Sequence, residues 1–133
     1  MNKEKPVIIQ FDSDENYMTV ADLICYNMNL EVAAKASSIQ GARDIIAKIE
    51  KKELNPDIAI VSSVIQQSFT EGEKLAKKLR EIAPEIKIIA FTELEDEKFG
   101  DKLALKSGAS LQDTLIAALH ELTGHDFNGS NVK

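Results

Sequence analysis

The chain has 133 residues, enough for one domain with its own core; 44% are hydrophobic and 29% are charged. The net charge of −6 and an aromatic content of only 5% argue against nucleic-acid binding, because such domains present a basic face or stacking aromatic side chains. We recognise no signal peptide and no apolar run of membrane-spanning length, and the single cysteine, Cys25, excludes an intrachain disulfide, so we expect a cytoplasmic protein.

Short apolar runs alternate with segments of helical periodicity along the chain. The apolar runs predict five β-strands, at residues 7–11, 30–36, 58–61, 86–91 and 102–106. Apolar residues at i, i+3 and i+4 spacing predict four helices: over 15–28, over 39–49 behind a cap at Ser38, from a capping box at Thr70 and Glu73 to Pro84, and from Ser110 to Gly124. We expect residues 1–124 to form one domain and residues 125–133 a flexible tail.

The distribution of charge among the strands predicts their order in the sheet. The runs 7–11 and 58–61 carry no charge and 86–91 carries only Lys87, whereas 30–36 and 102–106 carry more and suit the edges. This predicts a three-layer α/β fold of the flavodoxin-like type, a doubly wound parallel sheet in the order 2-1-3-4-5. Only nine residues, 93–101, join the last two strands, so we expect the fourth helix there to be shortened, over about 95–99, or irregular.

Polar side chains follow the carboxyl ends of four strands, where ligands bind in such sheets. They are Asp12, Ser13, Asp14, Ser62, Ser63, Thr92 and Lys106. With Pro56-Asp57, residues 72–84 and the run 87–92, they make residues 6 to about 123 resemble the CheY-like receiver domain of two-component response regulators. The resemblance implies a phosphoryl acceptor served by a histidine kinase, with an aspartate as acceptor, Mg²⁺ on that aspartate and an acidic pair, and a hydroxyl and a lysine on the phosphate.

The positions of this sequence fill that pattern in part. Asp12 matches the first acid, Thr92 the hydroxyl and Lys106 the lysine; the second acid falls on Ser13, for which Asp14 is a partial substitute. The acceptor falls on Ser62, and serine cannot form an acyl phosphate and has no neighbouring base to activate it. Ser107 also stands where the family usually has proline. We hypothesise that the Lys106 ammonium occupies the vacated site and pairs with Asp12.

These departures favour a degenerate receiver, or pseudo-receiver, that is not an enzyme and needs no cofactor. Its expected function is phosphorylation-independent interaction with a protein partner in bacterial two-component-type signalling; the oligomeric state is open, a homodimer included. The expected interaction surface lies around the shortened crossover and comprises Glu93, Leu94, Glu95, Phe99 and Lys102.

Three alternatives stay open at this stage. The first is a functional receiver that takes a phosphoryl group on Asp57 or Asp14, with Mg²⁺ on Asp12 and Asp14. The second is a flavodoxin-like domain that binds a small ligand. The third is that Ser62 or Ser63 is the target of a serine kinase, although hydroxyls at a strand end more often form turns.

Overall fold

The computed structural model describes residues 5–127, which form five strands and four helices. Their order is β1 Val7–Phe11, α1 Glu15–Asn27, β2 Glu31–Ala36, α2 Ile39–Glu50, β3 Ile58–Ser62, α3 Glu71–Ile82, β4 Lys87–Thr92, β5 Lys102–Leu105 and α4 Ser110–Thr123. Among these residues, no helix is both long and apolar enough to span a membrane.

The five strands form one parallel sheet in the order β2-β1-β3-β4-β5. The predicted order is therefore confirmed, with the two more charged strands at the edges. Side chains of α1 and α4 pack on one face of the sheet and those of α2 and α3 on the other. All five residues of β3 are buried, because this strand lies at the centre and is covered on both faces, and its charge-free sequence reflects that position.

The crossover between β4 and β5 contains no helix. Residues 93–101 run as turns and bends, so the irregular form of the crossover is correct and a short helix over 95–99 is wrong. Phe99 fills the space on the α2–α3 face and is only 8% exposed. Asp101 then joins the sheet: its N–H donates to the Ile88 carbonyl (2.7 Å), and its carboxylate accepts the Ile88 N–H (2.8 Å).

The predicted helix ends are correct in part. The Ser38 hydroxyl accepts the Gly41 N–H at 2.9 Å, and Gly124 ends α4 in the left-handed conformation, with φ 79°. The capping box at Thr70 is wrong, because its side chain accepts no hydrogen bond from the first turn of α3. Thr70 has near-helical dihedrals (φ −109°, ψ −9°), whereas a capping side chain needs extended backbone to reach the N–H groups of the next turn.

The beginning of the predicted tail is in contact with the domain. His125 Nδ1 lies 3.0 Å from the Met28 carbonyl oxygen at the end of α1, and Phe127 packs against the α1–α4 face of the core. The first residues after α4 therefore belong to the folded unit, and the remainder of the predicted tail, residues 128–133, lies outside the described residues.

Cys25 is fully buried in α1, and its burial raises the pKa of the thiol to about 12. Because the thiolate is the reactive form, we expect Cys25 to resist a thiol-specific reagent at neutral pH in the native protein. The same assay in concentrated urea should show one thiol reacting completely. Rapid labelling of the native protein would contradict the packing described here.

Candidate functional site

The predicted site residues meet in one pocket at the carboxyl edge of the sheet. The strands β1, β3, β4 and β5 end there, and the cavity between their loops has a volume of about 330 Å³. Its lining includes all seven polar residues that the sequence predicts: Asp12, Ser13, Asp14, Ser62, Ser63, Thr92 and Lys106.

The Lys106 ammonium forms the centre of this site. Its Nζ lies 2.8 Å from Asp12 Oδ2 and donates to the Ser62 hydroxyl at 2.9 Å, with the Lys106 and Asp12 side chains only 8% and 4% exposed. The hypothesised ion pair is therefore present. Burial raises the pKa of Asp12 above its usual value; the hydrogen bond and charge of Lys106 and the Asp14 N–H on Oδ1 (3.0 Å) oppose that rise without cancelling it.

Two aromatic rings enclose the same ammonium. Nζ lies 4.5 Å from the centroid of the Tyr17 ring and 5.4 Å from that of Phe91, and the two rings meet edge to face at 5.9 Å. Such contacts stabilise a cation that has lost most of its water. The apolar periodicity that predicts α1 marks Tyr17 as an inward-facing residue, but helical spacing does not show which charge such a residue meets.

The hydroxyl groups of the pocket bond to one another and to the backbone. Ser62 Oγ donates to the Val64 carbonyl (2.9 Å) and accepts the Val64 N–H (3.2 Å), while Ser63 Oγ lies 2.8 Å from Thr92 Oγ1, which also accepts the Leu94 N–H (3.1 Å). Ser62 and Thr92 are 1% exposed and Ser63 is 5% exposed. Ser62 thus acts as a turn hydroxyl and Ser63 links the ends of two strands, and the burial of both serines does not suit them as targets of a protein kinase.

The residues at this edge do not fit a Mg²⁺ ion. Of the three positions that the resemblance assigns to acids, Asp12, Ser13 and Ser62, only Asp12 carries a carboxylate, and the Lys106 ammonium already lies against it. Asp14 is exposed and uses Oδ1 to cap α1 by accepting the Asn16 N–H at 2.9 Å. Within residues 5–127 no group of three or more His, Cys, Asp or Glu side chains could hold a metal ion, and Mg²⁺ requires several hard oxygen ligands.

Asp57 lies at the amino ends of the strands, on the side of the sheet opposite the pocket. It precedes β3, and its Oδ2 accepts the Val7 N–H at 2.7 Å, at the start of β1. Ser62 is five positions further along the extended strand, a span of about 16 Å. The alternative in which Asp57 accepts a phosphoryl group in this pocket is therefore wrong, whereas Asp14 does lie on the pocket wall.

The predicted interaction surface is only partly exposed. Glu93, Leu94 and Glu95 are exposed, and Lys102 forms an ion pair with Glu121 of α4, with Nζ 2.6 Å from Oε1. Phe99 is buried and does not belong to this surface; the prediction was wrong because, without a helix in the crossover, a large side chain of the loop is needed to cover the sheet.

Comparison with known proteins finds the same architecture in solved receiver-domain structures. No protein-family model and no curated protein matches the chain. Among solved structures, the signal receiver domain of a modulated diguanylate cyclase from Desulfovibrio desulfuricans matches with a TM-score of 0.70 at 15% identity, over 91% of this chain and 95% of that one. The chain has the receiver fold.

Two further receiver structures match equally well. The response regulator TrrA from Thermotoga maritima, in complex with Mg²⁺ and BeF, has a TM-score of 0.68 at 19% identity, over 88% of this chain and 98% of its own. A CheY-like receiver domain protein from Methanospirillum hungatei has a TM-score of 0.67 at 20% identity, over 90% and 94%. The CheY-like sheet order expected from the sequence is thus found in proteins of two-component signalling.

Proposed function

We propose that this receiver-fold domain is a pseudo-receiver: a cytoplasmic, non-enzymatic protein-interaction module of bacterial two-component-type signalling that works without phosphorylation. The observation that carries the proposal is the contact of one buried ammonium, Lys106 Nζ, with both Asp12 Oδ2 and Ser62 Oγ. In this arrangement the lysine neutralises the remaining carboxylate, and the position of the acceptor holds an alcohol.

The chemistry of phosphoryl transfer supports this proposal. Transfer relies on positioning and on stabilising negative charge, which the family achieves with a metal ion and a carboxylate nucleophile. Here the Ser62 hydroxyl donates a hydrogen bond to the Val64 carbonyl, which is not a base that could activate the hydroxyl. The Thr92 hydroxyl already bonds to the Ser63 hydroxyl and accepts the Leu94 N–H, so these bonds compete with a contact to phosphate.

A phosphate-affinity gel after incubation with acetyl phosphate and Mg²⁺ tests the proposal. We expect no mobility shift for this chain, while an established response regulator in the same gel shifts. The variant Ser13→Asp/Ser62→Asp restores the acids of the family pattern, and we expect it to acquire a shift that a chelator abolishes. A chelator-sensitive shift of the unaltered chain would contradict the pseudo-receiver assignment.

The main competing function is that of a functional receiver. The structural match to TrrA, which was solved with Mg²⁺ and BeF, favours it, and Asp14, which lines the pocket together with Asp12 and Glu93, is the acceptor that it would use. A chelator-sensitive shift of the unaltered chain that Asp14→Asn abolishes would identify Asp14 as that acceptor. A small-ligand domain would instead show a bound chromophore or nucleotide in the purified protein.

A further inference from the structure

Two large apolar side chains stand exposed at the mouth of the pocket. Phe69, from the loop between β3 and α3, is 76% exposed, and Leu94, from the loop between β4 and β5, is 49% exposed. Tyr17 adds a third apolar surface from α1. Exposed apolar side chains that line one cavity are typical of a surface that a partner covers.

A strained turn holds Phe69 in this position. Gln66 and Gln67 both have positive φ, 50° and 68°, and the N–H and C=O groups of Ile65 and Ser68 pair across them at 3.2 and 3.1 Å, as in a tight hairpin. Ile65 anchors the turn in the core at 2% exposure, and the Gln66 side chain accepts the Ile39 N–H at the start of α2. Each left-handed non-glycine residue costs about 1 kcal/mol, and such strain concentrates at binding sites.

The rim of this mouth is negatively charged. Asp14 and Glu93 are both exposed, and Lys106, the one basic residue among the lining residues of the pocket, is neutralised by Asp12. Beyond Glu93, the segment 94–97 adds three carboxylates, and none of the ion pairs among residues 5–127 involves these residues or Glu93. The apolar surface is thus bordered by acids that lack a cationic partner within the described part of the chain.

We propose that this mouth binds an arginine side chain, flanked by apolar residues, on an extended segment of a protein partner. The planar guanidinium can stack on Tyr17 and Phe69 and donate hydrogen bonds to the carboxylates of Asp14 and Glu93. The apolar residues of the partner that flank the arginine cover Leu94. The inference rests on the proposed interaction function and names the chemistry of the partner. Asp14 and Glu93 set its specificity, because a negatively charged segment is repelled at the same place.

Titration of the ¹⁵N-labelled protein with the capped peptide Ala-Leu-Arg-Leu-Ala, followed by NMR at low salt, tests the proposal. We expect amide shifts at Ser13, Gln67 and Leu94, and none with the peptide in which glutamate replaces arginine. The double variant Asp14→Ser/Glu93→Gln should bind about tenfold more weakly. Serine preserves the helix cap in this variant, so the fold of α1 is retained.

Glu53→Gln/Glu85→Gln is the matched control, because it also removes two carboxylates. Both residues are exposed, Glu53 in the loop that precedes β3 and Glu85 in the loop that precedes β4, and their replacement should leave peptide binding unchanged. Equal weakening in this control would show that net charge, and not the mouth, attracts the peptide, and would overturn the proposal. Shifts that centre instead on the groove between α2 and α3, which Ala42, Ile46 and Leu75 line, would also overturn it. So would shifts at the mouth that arise on concentrating the protein without peptide, because a second copy of the chain would then be the occupant.

The peptide titration and the phosphate-affinity gel test the two proposals separately. A chain that accepts phosphate and still binds the arginine peptide overturns the pseudo-receiver assignment and leaves the arginine site. A chain that accepts no phosphate and shows no peptide shifts overturns the arginine site alone.

Discussion

The Lys106→Met variant should lose about 3 kcal/mol of its free energy of unfolding at neutral pH, as measured by urea denaturation. Methionine keeps an apolar stem beside Tyr17 and Phe91 but removes the ammonium, so Asp12 is left buried and without its counter-charge. Breaking a buried pair from one side is costly because the remaining ion cannot return to water.

The pH dependence of this loss has a definite sign. Burial already raises the pKa of Asp12, and Lys106 opposes that rise, so removing Lys106 raises the pKa further. A carboxyl whose pKa is raised in the folded state contributes stability below its unfolded pKa and loses it as pH rises through the folded pKa. The deficit of Lys106→Met relative to the unaltered chain should therefore be largest near pH 7 and shrink as the pH is lowered towards 4.

A double-mutant cycle identifies the pair as the cause. Asp12→Asn retains an acceptor for the Asp14 N–H, and in combination with Lys106→Met it should cost no more than either single change. Lys35→Met is the matched control, because Lys35 pairs with Asp22 at 2.6 Å while its own side chain is 52% exposed. That pair should contribute about 0–1 kcal/mol, and additive losses at Asp12 and Lys106 would show that they are not coupled.

Replacing Gly72 by alanine should destabilise the protein by about 3 kcal/mol or prevent folding, although alanine is the better helix former by about 1 kcal/mol. A Cβ atom at Gly72 would lie 2.0 Å from the Ser62 carbonyl oxygen and 2.8 Å from Ser63 Cα. Both are backbone atoms at the end of β3, so α3 would have to move away from the sheet. Urea denaturation measures the loss.

Gly41 offers a matched control in the first turn of α2. A Cβ atom there would meet the Ala36 Cβ at 3.1 Å and the Ser38 Oγ at 3.2 Å, which are side-chain atoms that can yield by a few tenths of an ångström. We expect Gly41→Ala to change stability by less than about 1 kcal/mol. A Gly72→Ala variant as stable as Gly41→Ala would contradict the close approach of α3 to β3.

Much of the site can be predicted from the sequence because it depends on strand order. In a parallel sheet all carboxyl ends meet at one edge, so Asp12, Ser62 and Lys106 are brought together by the alternation of strands and helices alone. The charge of the outer strands is equally informative, since the two edge runs each carry more than one charge, whereas the interior strand β4 has a lysine only at its exposed first residue, Lys87. The pairing of Lys106 with Asp12 then follows from opposite charges at that edge.

The features that the sequence does not predict depend on packing between distant segments. Phe99 lies in an acidic loop and is expected to be exposed, yet the absence of a helix leaves an uncovered face that its ring fills. The Gln66-Gln67 turn has no glycine or asparagine to indicate positive φ; the burial of Ile65, the backbone pair of Ile65 with Ser68 and the Gln66 contact with Ile39 hold it. Thr70 fails as a cap because its own backbone is already helical.

The short crossover between β4 and β5 also bears on how the chain folds. The residue pairs that join β4 and β5, such as Ile89 and Lys102, are closer in sequence than the partners of any other two strands among the described residues, whereas Ile8 and Ile58 of β1 and β3 are far apart. Closing the shorter loop costs about 1 kcal/mol less entropy. The β4–β5 pair is therefore the one whose loop closure costs least, and we expect it to form early in folding.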